Sequence, residues 1–272
     1  MEDIQARDLI DWDGTRHTPA RGDARILSLV PSLTELLFDL GLGAQVVGRT
    51  HYCIHPADRV AHVASVGGTK KIKMDRVRDL SPTHALVNID ENTESMADDL
   101  RQAGITVVVT HPVEVRDNLR LFGLVGCLFG AEAAARGLAD KFETAARELG
   151  NPPPRRVLYL IWREPWMTVG PDTYVSRLLA RIDWRTVPEM TEVRYPEIDL
   201  AGGLLDDVDL VLMSSEPYTF TSEHADQFGR DHPAHAHKVR LVDGEMLSWY
   251  GSRAIAGLQY LKDLAVAERS RS

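Results

Sequence analysis

Between residues 115 and 149 the chain has no proline and almost no strand-forming run, and this interruption dictates the architecture on either side of it. Gly130 divides the stretch into two helices. The second, residues 131–149, is built from Ala, Glu, Leu, Lys and Arg, all strong helix formers. At about 1.5 Å per residue it would extend roughly 28 Å. Asn151-Pro152-Pro153-Pro154 ends it, because proline lacks the amide donor and clashes with the preceding turn. A stiff helix of this kind between two blocks of mixed α/β pattern is a rigid connector rather than a floppy linker.

The first block opens with a buried strand at 26–30. Ser32 and Glu35 then have the spacing of a capping box, which predicts a helix running to Gly41. A strand is expected at 45–50, a long loop at 51–71 and a short helix near 73–80. A strand near 84–89, a helix at 92–103 and a strand at 106–109 follow. After the prolines the pattern returns: the runs at 156–161, 209–213 and 238–242 echo those beginning at 25, 84 and 105, at offsets of 131, 125 and about 132 residues. Near-constant offsets argue for two similar lobes, and alternating strands and helices for mainly parallel sheets covered on both faces. The expected fold is α/β, with two Rossmann-like lobes. An irregular arm (1–24) precedes the N-terminal lobe (25–114); connecting helices (115–150) and the C-terminal lobe (151–272) follow.

Composition limits the function classes. With 31 Lys and Arg against 40 Asp and Glu, the net charge is −9. No basic block is present, which disfavours nucleic acid and anionic membrane surfaces as partners. A hydrophobic content of 44% is that of an ordinary globular chain. No uninterrupted apolar run long enough to span a bilayer occurs. The first residues, MEDIQARDLIDWDGTRH, lack the basic leader and apolar core of a secretory signal, so the cytoplasm is the expected location. Cys53 and Cys127 are far apart in sequence and call for no oxidising compartment.

In open α/β sheets, ligands bind beyond the carboxyl ends of the strands. In the first lobe those ends deliver Ser32 and Thr34, then His51 and Tyr52, then Asp90, Glu91 and Asn92. In the second they deliver Trp162, Arg163, Glu164 and Trp166, then Glu216, Tyr218 and Phe220, then Glu245, Trp249 and Tyr250. Aromatic rings mixed with carboxylates suit a large, partly flat ligand with polar edges, held in a cleft between the lobes.

The carboxylates Asp90, Glu91, Glu164, Glu216 and Glu245 can also do acid–base work, bind cations, or simply cap turns and pair with Arg163 and Arg194. No Gly-x-Ser-x-Gly or His-Glu-x-x-His motif accompanies them. No catalytic residue and no metal ligand is therefore assigned. His51 and Cys53 are read as a hydrogen-bonded loop histidine and an inert thiol rather than axial ligands. His232, His235 and His237 match no defined metal-site spacing.

The segments RILSLVPSLTELLFDLGLGAQVVGRTHYCIHP, VGGTKKIKMDRVRDLSP, RVLYLIWREPWMTVGPDTYVSRLL, RYPEIDL, SSEPYTF and VDGEMLSWYGSR carry a resemblance. Over residues 25–265 the chain resembles the helical-backbone metal-chelate receptors, the cobalamin, haem and iron-siderophore branch of the periplasmic-binding-protein folds. The resemblance implies the class III fold, two lobes joined by one long helix, with no intrinsic cofactor and a metal chelate bound between them. A corrinoid is the expected ligand. Transport-competent relatives carry one acidic side chain on top of each lobe, which pairs with arginines on an ATP-driven importer. Here those places fall on Asp75 and Ala201, and a methyl cannot replace a carboxylate in such a pair. The expectation is a cytosolic, non-catalytic binder that does not dock on an importer. A cytosolic enzyme using the cleft carboxylates, or a ligand sensor signalling to a protein partner, remains the alternative.

Overall fold

The computed structural model describes residues 9–20 and 24–271. The chain divides into two compact units. The first takes the described residues up to Pro112 together with Arg116–Glu143 and Tyr250–Arg253. The second takes Val113–Val115, Thr144–Trp249 and the residues from Ala254 onward.

The first unit runs β1 (Ile26–Ser28), α1 (Pro31–Asp39), a 3-10 turn (Gly43–Gln45), β2 (Val46–Thr50), α2 (Ala57–Val60) and β3 (Ala64–Gly67). It continues through α3 (Met74–Leu80), β4 (His84–Asn88), α4 (Glu94–Gln102), β5 (Thr106–Thr110), α5 (Asp117–Phe129) and most of α6 (Glu132–Arg147). Its five strands pair in the order β3-β2-β1-β4-β5, all parallel. Leu27, Ala85, Val87, Val107 and Val109 from the strands, with Leu29 just beyond β1, pack with Val77 of α3 and with Met96 and Leu100 of α4. A parallel sheet is covered on both faces, so its strands read as continuous apolar runs. Each fully buried Leu or Val contributes roughly 1.5–3 kcal/mol relative to an exposed one.

Three expectations need correction here. Ser32 and Glu35 do not form a capping box. Val30 is the cap residue, with no side-chain bond, and Pro31 occupies the first helical position, where its missing N–H costs nothing. Glu35 instead accepts a bond from Arg253 Nε at 2.8 Å. The long loop 51–71 contains α2 and the edge strand β3, which has only four residues and no apolar run to announce it. The part of the arm that is described, residues 9–20, is docked rather than irregular: Ile10 bridges Arg16, and Trp12 N–H donates to the Val109 carbonyl on the free edge of β5 at 3.1 Å.

Gly130 ends α5 in the left-handed conformation (φ 72°), as its position between two helices demands. Helix α6 buries Ala135, Leu138 and Phe142, a stripe at helical spacing, and the Phe142 ring meets Phe122 of α5 edge-on at 6.3 Å. The boundary between the two units falls inside this helix, after Glu143.

The second unit contains β6 (Arg155–Leu160), α7 (Tyr174–Ala180), β7 (Trp184–Thr186), β8 (Leu210–Ser214) and α8 (Ser222–Asp231). A 3-10 segment (Pro233–Lys238), β9 (Val239–Val242), α9 (Gly244–Ser248) and α10 (Arg253–Arg269) complete it. Its sheet has the order β7-β6-β8-β9, again parallel. This repeats the β2-β1-β4-β5 core of the first unit, with β6, β8 and β9 standing where the sequence offsets put them. Leu158, Leu160, Val211 and Met213 pack against Phe220 and Phe228, and against Leu200, Leu205 and Val208 from a turn-rich stretch. Among the described residues no helix is long and apolar enough to cross a membrane.

Candidate ligand-binding faces of the two units

In the first unit the residues at the strand ends divide into internal braces and exposed groups. Thr34 is fully buried, and its hydroxyl lies 2.7 Å from Ser28 Oγ and 3.0 Å from the Val30 carbonyl. Ser32 is likewise buried in the first turn of α1. Asn92 is a clasp. Its Oδ1 accepts from Asn88 N–H, and its amide donates to the Leu29 and Thr69 carbonyls at 3.2 and 2.9 Å, so it ties the ends of β1 and β4 to the loop before α3. Cys53 is buried against Thr50 Oγ1 at 3.1 Å, and burial pushes its thiol pKa up, which makes it a poor nucleophile.

What this unit exposes is different. Tyr52 is 56% exposed and packs on the His51 ring at 4.1 Å between centroids. Ile54 and Ile89 are each about half exposed, beyond the ends of β2 and β4. Strand-end reading missed both; Ile89 directly follows β4, and Ile54 lies four residues beyond β2. Asp90 carries a small charged cluster. Its backbone carbonyl accepts from Lys70 Nζ at 2.6 Å, and its carboxylate lies 3.4 Å from His111 Nε2 at the end of β5. Burial raises the Glu91 pKa, with Lys70 pulling it down and Asp90 pushing it further up. His111 and Lys70 are further residues the strand-end reading did not select.

In the second unit the aromatic residues form a pile that runs from solvent into the core. Trp162, 41% exposed, meets Tyr218 edge-on at 5.5 Å. Tyr218 meets Phe220 at 4.8 Å, and Phe220 lies parallel to Trp166 at 6.0 Å. Trp166 then meets the buried ring of Phe228 edge-on at 6.1 Å. Arg163 covers the outer side of Trp166 at 5.7 Å and lies 3.6 Å from the exposed Glu164. The Tyr218 hydroxyl is fixed by His224 Nε2 at 3.0 Å. Trp162 is thus the solvent end of a supported column, whereas Trp166 and Phe220 belong to its base.

The remaining candidates surround the ends of β8 and β9. Glu216 and Glu245 line an open depression of about 540 Å³ with Ser215, Phe220, Leu241, Val242 and Asp243. Glu216 Oε1 accepts from Trp249 Nε1 at 2.6 Å and lies 2.9 Å from Ser248 Oγ. Trp249 and Tyr250, which the sequence places among exposed strand-end aromatics, are only 9% and 8% exposed. His235 pairs with Asp206 at 3.4 Å, and among the described residues no three His, Cys, Asp or Glu side chains gather as a metal would require. Asp75 stands in the first turn of α3, almost fully exposed and 2.8 Å from Arg78. Ala201 is exposed in a turn, where its N–H donates to Asp199 Oδ1 at 2.8 Å.

Comparison with known proteins bears on the fold and the family. An "Uncharacterized ABC transporter substrate-binding lipoprotein YvrC" of Bacillus subtilis is 25% identical over 261 residues, covering 88% of this chain and 79% of its own length. A "Vitamin B12-binding protein" of Yersinia pestis is 26% identical over 211 residues, covering 71% and 74%. Among solved structures, the periplasmic vitamin B12 binding protein BtuF of Vibrio cholerae superposes with a TM-score of 0.77 at 18% identity, covering 91% of this chain and 98% of its own. The periplasmic heme-binding protein RhuT of Roseiflexus superposes with a TM-score of 0.74 at 22% identity, covering 90% and 98%. The α/β fold with two parallel-sheet units is that of the class III periplasmic binding proteins, which bind substrates and are not enzymes. The model of the periplasmic binding protein family matches residues 26–237. With most of its length inside that match, this chain belongs to the periplasmic binding protein family.

Proposed function

We propose that this protein is a non-catalytic receptor for a metal chelate, and that its ligand is a corrinoid. The observation that carries the reading is the aromatic column of the second unit. It ends in a Trp162 indole that is held from below and open to solvent at the carboxyl end of β6. A pre-set aromatic face binds the apolar surface of a macrocycle without spending side-chain entropy on ordering. On the first unit, Tyr52, Ile54 and Ile89 leave apolar surface exposed, and the Lys70–Asp90–His111 cluster offers hydrogen-bonding groups for polar ligand edges. The vitamin B12-binding relative supports the corrinoid class.

Titration with dicyanocobinamide, cyanocobalamin, hemin and a ferric siderophore, followed by tryptophan fluorescence and calorimetry, tests the reading. A corrinoid is expected to quench the fluorescence and bind most tightly. Trp162→Ala is expected to weaken that binding by roughly 1–3 kcal/mol, the cost of losing one stacked ring. If all four chelates leave fluorescence and melting temperature unchanged, the proposal fails.

The importer question belongs to the same proposal. The exposed Asp75 on α3, the methyl of Ala201 and the use of Asp199 in the turn at Ala201 support a receptor that lacks one of two docking acids. The tagged protein is expected to be recovered from its host without a permease. Recovery of a stoichiometric permease would overturn that expectation.

A further inference from the structure

Glu216 was selected from the sequence as a group that faces ligand, but its bonds point elsewhere. Oε1 accepts from the Trp249 indole at 2.6 Å and lies 2.9 Å from the Ser248 hydroxyl, whose single proton it shares with the Gly244 carbonyl at 2.7 Å; both residues are in the segment that follows β9. On its own side, Glu216 N–H donates to Ser214 Oγ at 3.3 Å, and that oxygen also accepts from the Tyr159 hydroxyl at 3.0 Å. Tyr159 lies on β6 and is 1% exposed. Gly244 N–H donates to Ser215 Oγ at 2.9 Å. A Cβ at Gly244 would lie 2.6 Å from Glu216 Cγ and 3.0 Å from its nitrogen, so only glycine lets the two loops approach this closely. The ends of β6 and β8 thus meet at Ser214 Oγ, and the segment after β9 is tied to the same loop through Ser215 Oγ and the Glu216 carboxylate.

We infer that Glu216 is the positioning residue of the second unit's ligand face: it acts as the hydrogen-bond acceptor that fixes the Trp249 indole, not as a charge offered to ligand. The chemistry favours this assignment. A buried indole N–H needs an acceptor, and a carboxylate is the strongest available. Oε1 is the oxygen committed to this role, since the indole bond at 2.6 Å is short enough to be charge-assisted. The positioning stands on these contacts alone; its consequence for affinity rests on the metal-chelate reading above.

The test uses the full chain with Glu216→Ala, Glu216→Gln and Trp249→Phe. Without ligand, E216A is expected to shift the tryptophan emission and near-ultraviolet circular dichroism, and the same change should vanish in a W249F background. With dicyanocobinamide as probe, E216A should weaken binding about tenfold or more, the scale of a lost charge-assisted bond. E216Q, whose amide oxygen still accepts, should restore both readouts to near wild type. If E216Q is as defective as E216A, the charge itself is what matters and the inference is wrong. An E216A variant with unchanged emission also refutes it. Should E216A not fold, W249F carries the affinity arm, and undiminished binding there overturns the proposal. If the wild type ignores the probe, the metal-chelate reading fails, while the emission comparison still decides the positioning role.

Discussion

Asp11→Ala is expected to lower the free energy of unfolding by about 3 kcal/mol or more, because several donors lose their buried acceptor at about 1–3 kcal/mol each. Asp11 is 1% exposed and satisfies four groups at once. Oδ1 accepts from the amides of Asp13 and Thr15 at 3.0 and 2.9 Å, which closes the turn of the arm. Oδ2 lies 2.9 Å from His17 Nε2 and accepts from Val109 N–H at 3.0 Å. The last bond matters most, because Val109 is on β5, the edge of the first sheet. Alanine would leave that buried donor and the imidazole without their acceptor, and buried polar groups without partners are costly. Arg120, whose guanidinium lies 4.0 Å over the Trp12 ring and bonds the Ile10 and Asp11 carbonyls, would lose its docking surface as well. Asp11→Asn keeps one acceptor oxygen and should cost clearly less. Urea unfolding of the two variants checks this; an alanine variant within about 1 kcal/mol of wild type, the range of an ordinary surface substitution, would show that the arm is not anchored there.

The arm also shows where sequence reading stops. Residues 9–20 are polar and lack periodicity, so local pattern alone reads them as irregular. Their order comes from a carboxylate meeting a strand amide 98 positions away, and nothing local records that pairing. The central strands were legible for the opposite reason. A parallel strand buried on both faces must be apolar throughout, and 26–28, 84–88 and 210–214 are nearly so. The edge strands β3 and β7 have four and three residues and pack on fewer neighbours, so they escaped notice. At the candidate site, strand-end reading could not tell a side chain facing solvent from one facing inward. Trp162 and Trp166 stand four residues apart in one turn, yet the first is open and the second stacks on Phe220. Likewise the Ser32–Glu35 spacing fits a capping box, but Pro31 starts the helix and Arg253, far along the chain, takes the carboxylate. Burial raises the Glu35 pKa, and the bond and charge from Arg253 pull against that rise.

The edge strand β9 of the second sheet is held by a carboxylate 28 residues further along the chain, and Glu268→Ala should cost about 3 kcal/mol or more, because it leaves a buried charge without its partner. Glu268, in the last turn of α10, is 4% exposed. Its carboxylate takes Arg240 Nε at 2.5 Å and Nη2 at 2.8 Å, a bidentate pair that fastens α10 to β9. Arg240 Nη1 also donates to the His237 and Val239 carbonyls at 2.7 and 2.8 Å, so one guanidinium orders both the helix and the segment entering the strand. Removing the carboxylate leaves a half-buried guanidinium facing the vacated space. Lysine cannot substitute for the planar fork, so Arg240→Lys should lose a large part of the same stability, although it keeps the charge. The pair is largely screened from solvent, so its contribution should change little between low and moderate salt, unlike that of the exposed Arg78–Asp75 pair. Denaturant unfolding of Glu268→Ala, Arg240→Lys and wild type at two ionic strengths measures all three statements. A loss that disappears in salt, or an Arg240→Lys variant as stable as wild type, would mean that β9 is held by its packing on β8 and not by this pair.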